Sequence, residues 1–433
     1  MAPQRVFHGS KIVFLFVACP GGGKKVLNRP GMVLLPYLCP AMQSSPHRLT
    51  ANSSRPVAIW VYTGVIMLLI QVILGGITRL TGSGLSITEW NVVTGILPPL
   101  NQHQWQEAFD KYRQTPQFQL INSGFGLSDF KFIYLWEWSH RLWARMVGVV
   151  FVVGFVWLLR KRLLQPRMIR PLIILFLLGG LQGAVGWIMV ASGLTGDAIY
   201  VQPTRLALHF TFALGLVVYA FWFALQLSVP ESARLGRNMP ADDRRQPGLA
   251  PTGPNGNLHS AFHRRIVRLR HWTIAILAVL FIQLLYGALM AGHKAANVAP
   301  TWPTLNGDWL PGSLFSQHPL LQDLAGNKIT VQFIHRGLAY ILLVLVLVWT
   351  AIAYRLPRIP PSFRQLRWLP LLLIGVQVLL GISTLLTSPG IVPNQWVAFD
   401  WLAQFHQVTG LLFLLTMAGM LYLVIPDRHP VIL

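Results

Sequence analysis

The chain has 433 residues, 53% of them hydrophobic and 11% charged, which is too apolar for a soluble protein of this size. Its net charge of +22 would suit a nucleic-acid partner, but the placement of the basic residues argues against one. Both cysteines, Cys19 and Cys39, precede the first apolar run and no Cys-x-x-Cys occurs, which argues against thiol redox chemistry and zinc–cysteine sites.

Residues 1–56 hold seven Lys or Arg and no acid. Such a segment can be a mitochondrial transit peptide. It lacks a clear amphipathic helix and carries Gly21-Gly22-Gly23, so a start at Met42, with the upstream residues unstructured or never made, is the preferred reading. Eight apolar runs follow, at 57–77, 138–159, 169–191, 205–228, 270–291, 332–354, 368–387 and 402–425. Each approaches the ~20 residues that cross a bilayer as a helix. The fold class expected is an all-α membrane protein, because open strands cannot satisfy their backbone in lipid.

Span one ends in a Gly/Ser/Thr-rich stretch, Thr78-Arg79-Leu80-Thr81-Gly82-Ser83-Gly84-Leu85-Ser86-Ile87-Thr88-Glu89-Trp90, a loop by composition. The outer segment continues to about Tyr134 and predicts one short helix near Gln104–Lys111. Between spans two and three lie Arg160, Lys161, Arg162, Arg167 and Arg170. Residues 231–265 form a basic linker that leaves four spans on each side, at 57–230 and 266–433. Arg355, Arg358, Arg364 and Arg367 fall between spans six and seven, while the alternate loops are nearly neutral. This asymmetry puts both termini and the basic loops on the cytoplasmic (or matrix) side.

The two sets of four spans are copies. A shift of 195 carries His140 to His335, Arg141 to Arg336, Gln182 to Gln377 and Gly186 to Gly381, and a shift of 197 carries His209 to His406. Four spans return the chain to the same side, so the expected architecture is two parallel four-helix bundles related by a pseudo-two-fold axis along the membrane normal. A finer repeat lies within. Each odd span carries Gln-x-x-x-Gly (Gln71/Gly75, Gln182/Gly186, Gln283/Gly287, Gln377/Gly381), and each even span a histidine near its outer start (His140, His209, His335, His406).

Ionisable residues inside a span mark functional sites by default. One such histidine alone reads as a polar residue bonded to a neighbouring helix; four at matched depth read as ligands. Zinc and di-iron sites recruit carboxylates or thiolates, which three of the four lack. Paired imidazoles from facing helices suit haem iron, His140 with His209 and His335 with His406. The glycines would let helices approach or leave room for a porphyrin face; the glutamines would bond across the interface or touch the porphyrin edge. Arg141, Arg336 and Arg79 are candidate partners for propionates, Arg141 and Arg336 also candidate interfacial anchors. One difference separates the copies: Glu137, one helical turn before His140, corresponds to Gln332. A carboxylate that accepts a proton or stabilises positive charge suits oxidation of a substrate carbon, so Glu137 is the candidate catalytic residue.

At these residues the chain resembles the haem A synthase family, in the branch without a cysteine pair in the first outer loop. The most specific parts are the Thr78–Trp90 stretch, Glu137-x-x-His140-Arg141, Ser192-Gly193-Leu194, His335-Arg336 and His406-Gln407. The resemblance implies oxidation of the C8 methyl of haem O, through the alcohol, to the formyl group of haem A for haem-copper oxidases. It implies a haem b cofactor on His335 and His406, with haem O bound by His140 and His209. The partners it brings are the lipid bilayer, the haem O synthase (protohaem farnesyltransferase), oxidase assembly factors and a second copy of the chain. With the charge asymmetry it implies a multi-pass protein of the bacterial inner membrane, the mitochondrial inner membrane being the alternative. A di-haem electron-transfer cytochrome without substrate chemistry explains the four histidines equally well, but not Glu137 against Gln332. A parallel-repeat transporter with a histidine proton relay is a third reading.

Overall fold

The computed structural model describes residues 51–89, 94–235, 254–357, 359–392 and 395–425. The expectations for residues 1–50, for Trp90 and for linker residues 236–253 lie outside the described residues. Twelve α-helices are present among those described: α1 (Ala51–Leu80), α2 (Gln102–Arg113), α3 (Pro116–Leu120), α4 (Leu127–Arg160), α5 (Pro166–Ala191), α6 (Pro203–Ser228), α7 (Pro254–Gly292), α8 (Leu320–Gly326), α9 (Lys328–Tyr354), α10 (Pro361–Leu366), α11 (Leu369–Leu386) and α12 (Ala398–Val424). Eight helical segments are long and apolar enough to cross a membrane. Their principal helices, α1, α4, α5, α6, α7, α9, α11 and α12, are counted below as spans one to eight. The protein is an all-α, multi-pass membrane protein.

Helix starts follow local chemistry. Spans three and four and helix α10 each open on a proline, which needs no amide partner in the first turn. Asn327 caps span six by accepting from the Ile329 and Thr330 N–H groups. The expected outer helix is α2, capped by Asn101 Oδ1 accepting from Gln104 N–H at 2.9 Å.

Span two departs from expectation. Its helix begins at Leu127, not near residue 138, so Glu137 lies about three turns inside it instead of at its mouth. The Gly126 N–H donates to Asp129 Oδ2 at 2.9 Å and starts the helix early. The added turns are stabilised by packing that lies outside any apolar run. Phe130 and Ile133 join Phe109 and Tyr112 of α2 in a buried cluster, with Trp105, Phe118 and Tyr134 around it. This platform binds the loop that follows span one: Gln117 Nε2 donates to the Gly82 carbonyl, and Tyr112 Oη donates to Gln117 Oε1.

Spans five, six, seven and eight pack in sequence and close into a ring, because span eight returns against span five. Spans one to four form an open chain in the order two, one, four, three; no comparable packing joins spans two and three. Spans four and five pack together, and span eight also touches spans one and four. One apolar core runs through the junction, with Val72, Leu214 and Val217 beside Leu280, Val346, Trp349, Ile374 and Met417. Span eight is the most enclosed, with 61% of its apolar window buried. Its Gln404 and Gln407 amides donate to the carbonyls of Ile73 and Val72, in a hollow that Gly76 leaves open.

Candidate functional site

Each of the four histidines lies against the glycine of the preceding odd span. A Cβ built on Gly75 would stand 3.2 Å from His140 Nε2, on Gly186 2.8 Å from His209 Cε1, on Gly287 3.3 Å from His335 Cε1, and on Gly381 2.9 Å from His406 Cε1. The glycines therefore make room for imidazoles, a partnership that helix approach and porphyrin clearance had both missed. The repeated spacing was its signal. Each glycine also lies five residues before the end of its helix, at Leu80, Ala191, Gly292 and Leu386, which places the four imidazoles at one depth.

The glutamine one turn before each glycine reaches the same histidine. Gln71 Nε2 donates to the His140 carbonyl at 3.2 Å, and Gln182 Nε2 to the His209 carbonyl at 3.1 Å. Gln283 and Gln377 place Nε2 at 3.4 Å and 3.3 Å from the Nε2 atoms of His335 and His406. His406 Nδ1 lies 3.1 Å from the Gln377 carbonyl, a bond that fixes the tautomer and leaves Nε2 as the unprotonated nitrogen.

The last four spans bring His335 and His406 together, ring centroids 6.3 Å apart and planes 70° apart in an edge-on arrangement. Two imidazole–metal bonds of about 2 Å each, plus the ring radii, occupy a gap of this size. His140 and His209 stand on spans two and four, each against the glycine of the preceding odd span. Among the described residues no group of three or more His, Cys, Asp or Glu side chains is placed to hold a metal ion. Haem needs only axial ligands from the protein, because the porphyrin supplies the rest.

Buried polar atoms without partners add to the fit. Oε1 of Gln71, Gln182, Gln283 and Gln377 are all in this state, as are His335 Nδ1 and the Nε atoms of Arg79 and Arg336. Leaving such an atom unsatisfied costs about 1–3 kcal/mol, which a ligand with a polar edge would offset at each of the four equivalent glutamines; Gln332 and Gln404 carry the same unpartnered Oε1. Arg79, at the outer end of span one, lies within electrostatic range of Asp400 at the start of span eight.

Glu137 is 2% exposed and fully engaged. Oε2 accepts from Ser86 Oγ at 2.7 Å and Ile87 N–H at 2.9 Å, and Oε1 accepts from Arg141. Arg141 also donates to the carbonyls of Ile87 and Glu89. The Glu137–Arg141 pair thus latches the 83–89 loop onto span two. The partner copy latches its own loop with reversed polarity. Gln332 Nε2 lies 3.3 Å from each of the Ala295, Ala296 and Ala299 carbonyls, and Arg336 donates to those of Ala299, Thr301 and Thr304. Both arginines are committed to loop backbone, a role their expected propionate pairing had not included. A cleft lined by Ile87, Thr88, Glu89, Arg141, Trp187, Val190, Ala191, Leu194 and Thr195 opens between span two, the end of span three and this loop.

Comparison with known proteins places the chain. The COX15-CtaA family, described as cytochrome oxidase assembly protein, matches residues 58–418. The chain is 40% identical over 330 residues to the haem A synthase of Paracoccus denitrificans, covering 76% of this chain and 80% of that protein. It is 41% identical over 313 residues to that of Parvibaculum lavamentivorans (72% and 82%) and 38% identical over 372 residues to that of Methylorubrum populi (84% and 87%). With the matched residues spanning all eight helices and both histidine pairs, the chain belongs to the COX15-CtaA family of cytochrome oxidase assembly proteins.

Proposed function

We propose that the protein is a haem A synthase, an oxidoreductase that converts the C8 methyl of haem O to the formyl group of haem A. The observation that carries this reading is the asymmetry of two otherwise matched histidine sites. Both have paired imidazoles seated on glycine and contacted by glutamine, but one alone has a buried carboxylate one turn from its histidine. A pure electron carrier has no use for that difference.

His335 and His406 are the residues that would hold haem b, which when bound supplies one-electron redox chemistry. Their glycine hollows and the Gln377 carbonyl fix ring position and tautomer. His140 and His209 would hold haem O, and with both axial positions filled by imidazole the reaction falls at the ring edge. Glu137 stands one helical turn before His140 on the same span, from which it would reach that edge. Its charge is held by Arg141, Ser86 and the Ile87 N–H, and its carboxylate is the group to take up one of the two protons lost when the alcohol gives two electrons to an external acceptor and becomes the formyl group. The latched 83–89 loop covers this end of the bundle and limits access of outer water. Arg79 and Arg336, each with a buried Nε to satisfy, are the donors for propionates.

The bacterial inner membrane, with termini and basic loops on the cytoplasmic side, accommodates the arginine asymmetry; the mitochondrial inner membrane is the alternative. The haem O synthase is the expected donor of substrate. The test is extraction of pigment from the purified protein. Haem O, its alcohol or haem A alongside haem B is expected; haem B alone under haem O supply would make the protein an electron carrier.

A further inference from the structure

The two sets of spans differ in one further place, and the difference is steric. Spans six and seven pack together, while no comparable packing joins spans two and three. Only 6% and 11% of the apolar windows of spans two and three are buried, against 22% and 17% for spans six and seven. The sequence correspondence of 195 residues identifies what is missing. Ile374 of span seven is buried in the core and Leu343 of span six packs against that core. Their counterparts are Gly179 and Gly148, and Val378 corresponds to Gly183. A Cβ added at Gly148, Gly179 or Gly183 meets no atom within 4 Å.

The space continues from the ligand site. Gly179 lies seven residues from Gly186, about two turns deeper on nearly the same helix face as the hollow that seats His209. Gly148 lies eight residues, about 12 Å, beyond His140 along span two. Between these glycines and Gly186 stands Gln182, whose Oε1 is buried without a partner. Towards the outer face the seam opens into the cleft lined by Arg141, Trp187, Val190 and Ala191. Close packing of apolar side chains is what membrane helix pairs ordinarily use, so a seam kept open by glycines needs an occupant.

We infer that the seam between spans two and three, cleared by Gly148, Gly179 and Gly183, receives the farnesyl tail of haem O and admits the substrate sideways from the bilayer. This rests on the haem A synthase reading. Haem O differs from haem b chiefly in that tail, which leaves the porphyrin edge opposite the propionates. Propionates held by outer arginines direct it inward, towards the glycines and the lipid. The C8 methyl neighbours a propionate and so lies at the outer end, on the Glu137 side. The closed ring of spans five to eight has Ile374 and Leu343 where a tail would run, and suits the tail-less haem.

The test installs those side chains in the first four spans. Wild type, Gly179→Ala, Gly179→Ile and the Gly148→Leu/Gly179→Ile double variant are purified with their resident haem b. Each is titrated with haem O and with tail-less haem B, and binding at the substrate site is read from the absorbance change. The expected result is haem O affinity that falls with side-chain size, by about ten-fold or more for Gly179→Ile, while haem B affinity at that site changes little. Should the double variant fail to fold, the single variants still carry the comparison. Equal loss of both haems, or unchanged haem O affinity in Gly179→Ile, would overturn the inference and leave the seam to lipid acyl chains. Absence of haem O binding to the wild type would instead strike the proposed function itself.

Discussion

The latches of the two histidine sites use the same helical positions with opposite polarity. At Gln332 and Arg336 every hydrogen bond is given by the helix and taken by loop carbonyls of residues 295–304. At Glu137 the helix takes hydrogen bonds from the loop, through Ser86 and the Ile87 N–H, and Arg141 returns them to the Ile87 and Glu89 carbonyls. Either arrangement pins a loop over a site. Only the second leaves an anion there, and burying an anion is costly unless it is paired and hydrogen-bonded, as this one is. The other copy latches its loop without a carboxylate, so a charged group is not a general requirement of such a latch and is the feature that sets the Glu137 site apart.

The largest expected effect breaks the comparison at its ligands. Replacing His335 or His406 with Met or Ala should remove or strongly alter the low-spin haem b spectrum of the purified protein. Replacing His140 should leave that spectrum and abolish haem A formation. An unchanged spectrum in both His335 and His406 variants would move the resident haem to the other pair.

Next in size is the pair that separates chemistry from latching. Glu137→Gln should lower haem A formed per mole of protein by about 10²–10⁴-fold, the range for loss of a catalytic acid or base. It also disturbs the latch, because a single amide cannot accept from Ser86, Ile87 and Arg141 as the carboxylate does. Ser86→Ala supplies the control: it removes one donor to the carboxylate, about 1.5–3 kcal/mol of loop anchoring, and keeps the charge. Haem A yield should fall less in Ser86→Ala than in Glu137→Gln, because the carboxylate keeps its charge and its bonds from Ile87 and Arg141. Equal losses in the two variants would make Glu137 a positioning residue only.

Much of this was legible in the sequence because the bilayer imposes a length and a polarity on each span. All eight spans, the short outer helix and the repeated Gln, Gly and His positions follow from those constraints. Span two was misread because its outer turns, Leu127–Trp136, rest through Phe130 and Ile133 on Phe109 and Tyr112 of α2, and no apolar run records tertiary aromatic packing. The role of the glycines was missed because composition does not say which neighbour fills a hollow. Trp60 and Trp349 teach the same lesson: Trp60 fills the hollow at Gly154 and bonds the Val150 carbonyl, while the residue corresponding to Gly154, Trp349, reaches back to Thr273. Size is exchanged across each helix pair, so neither side alone predicts the packing. Arg141 was legible as a functional residue but not as a loop anchor, since its partners are backbone carbonyls, which every sequence contains.

The smallest effect concerns the two outer segments, which are stabilised by different physics. The first rests on aromatic burial; its Tyr112 hydroxyl, pushed up to about 12 by burial against the lowering bond from Asn122, stays neutral at any ordinary pH. The second is organised by Asp323, fully buried, which accepts from Thr330 Oγ1 at 2.7 Å, Asn327 Nδ2 at 2.9 Å and the Gln317 N–H at 2.9 Å. Burial opposes its charge, but these hydrogen bonds together hold its pKa below the ordinary 3.8. A folded pKa below the unfolded one means stabilisation that is complete above about pH 4 and is lost as pH falls through the folded value. Proteolysis of the 293–327 segment should therefore be flat from pH 7 to about pH 4 and accelerate below it, while cleavage within 101–126 does not change in that window. Asp323→Asn should raise cleavage of the second segment at neutral pH and remove its acid dependence, because the amide cannot accept all three bonds in either state. An acid transition that survives in Asp323→Asn would assign the pH sensitivity to another group and leave the hydrogen-bonded carboxylate without a part in holding that segment.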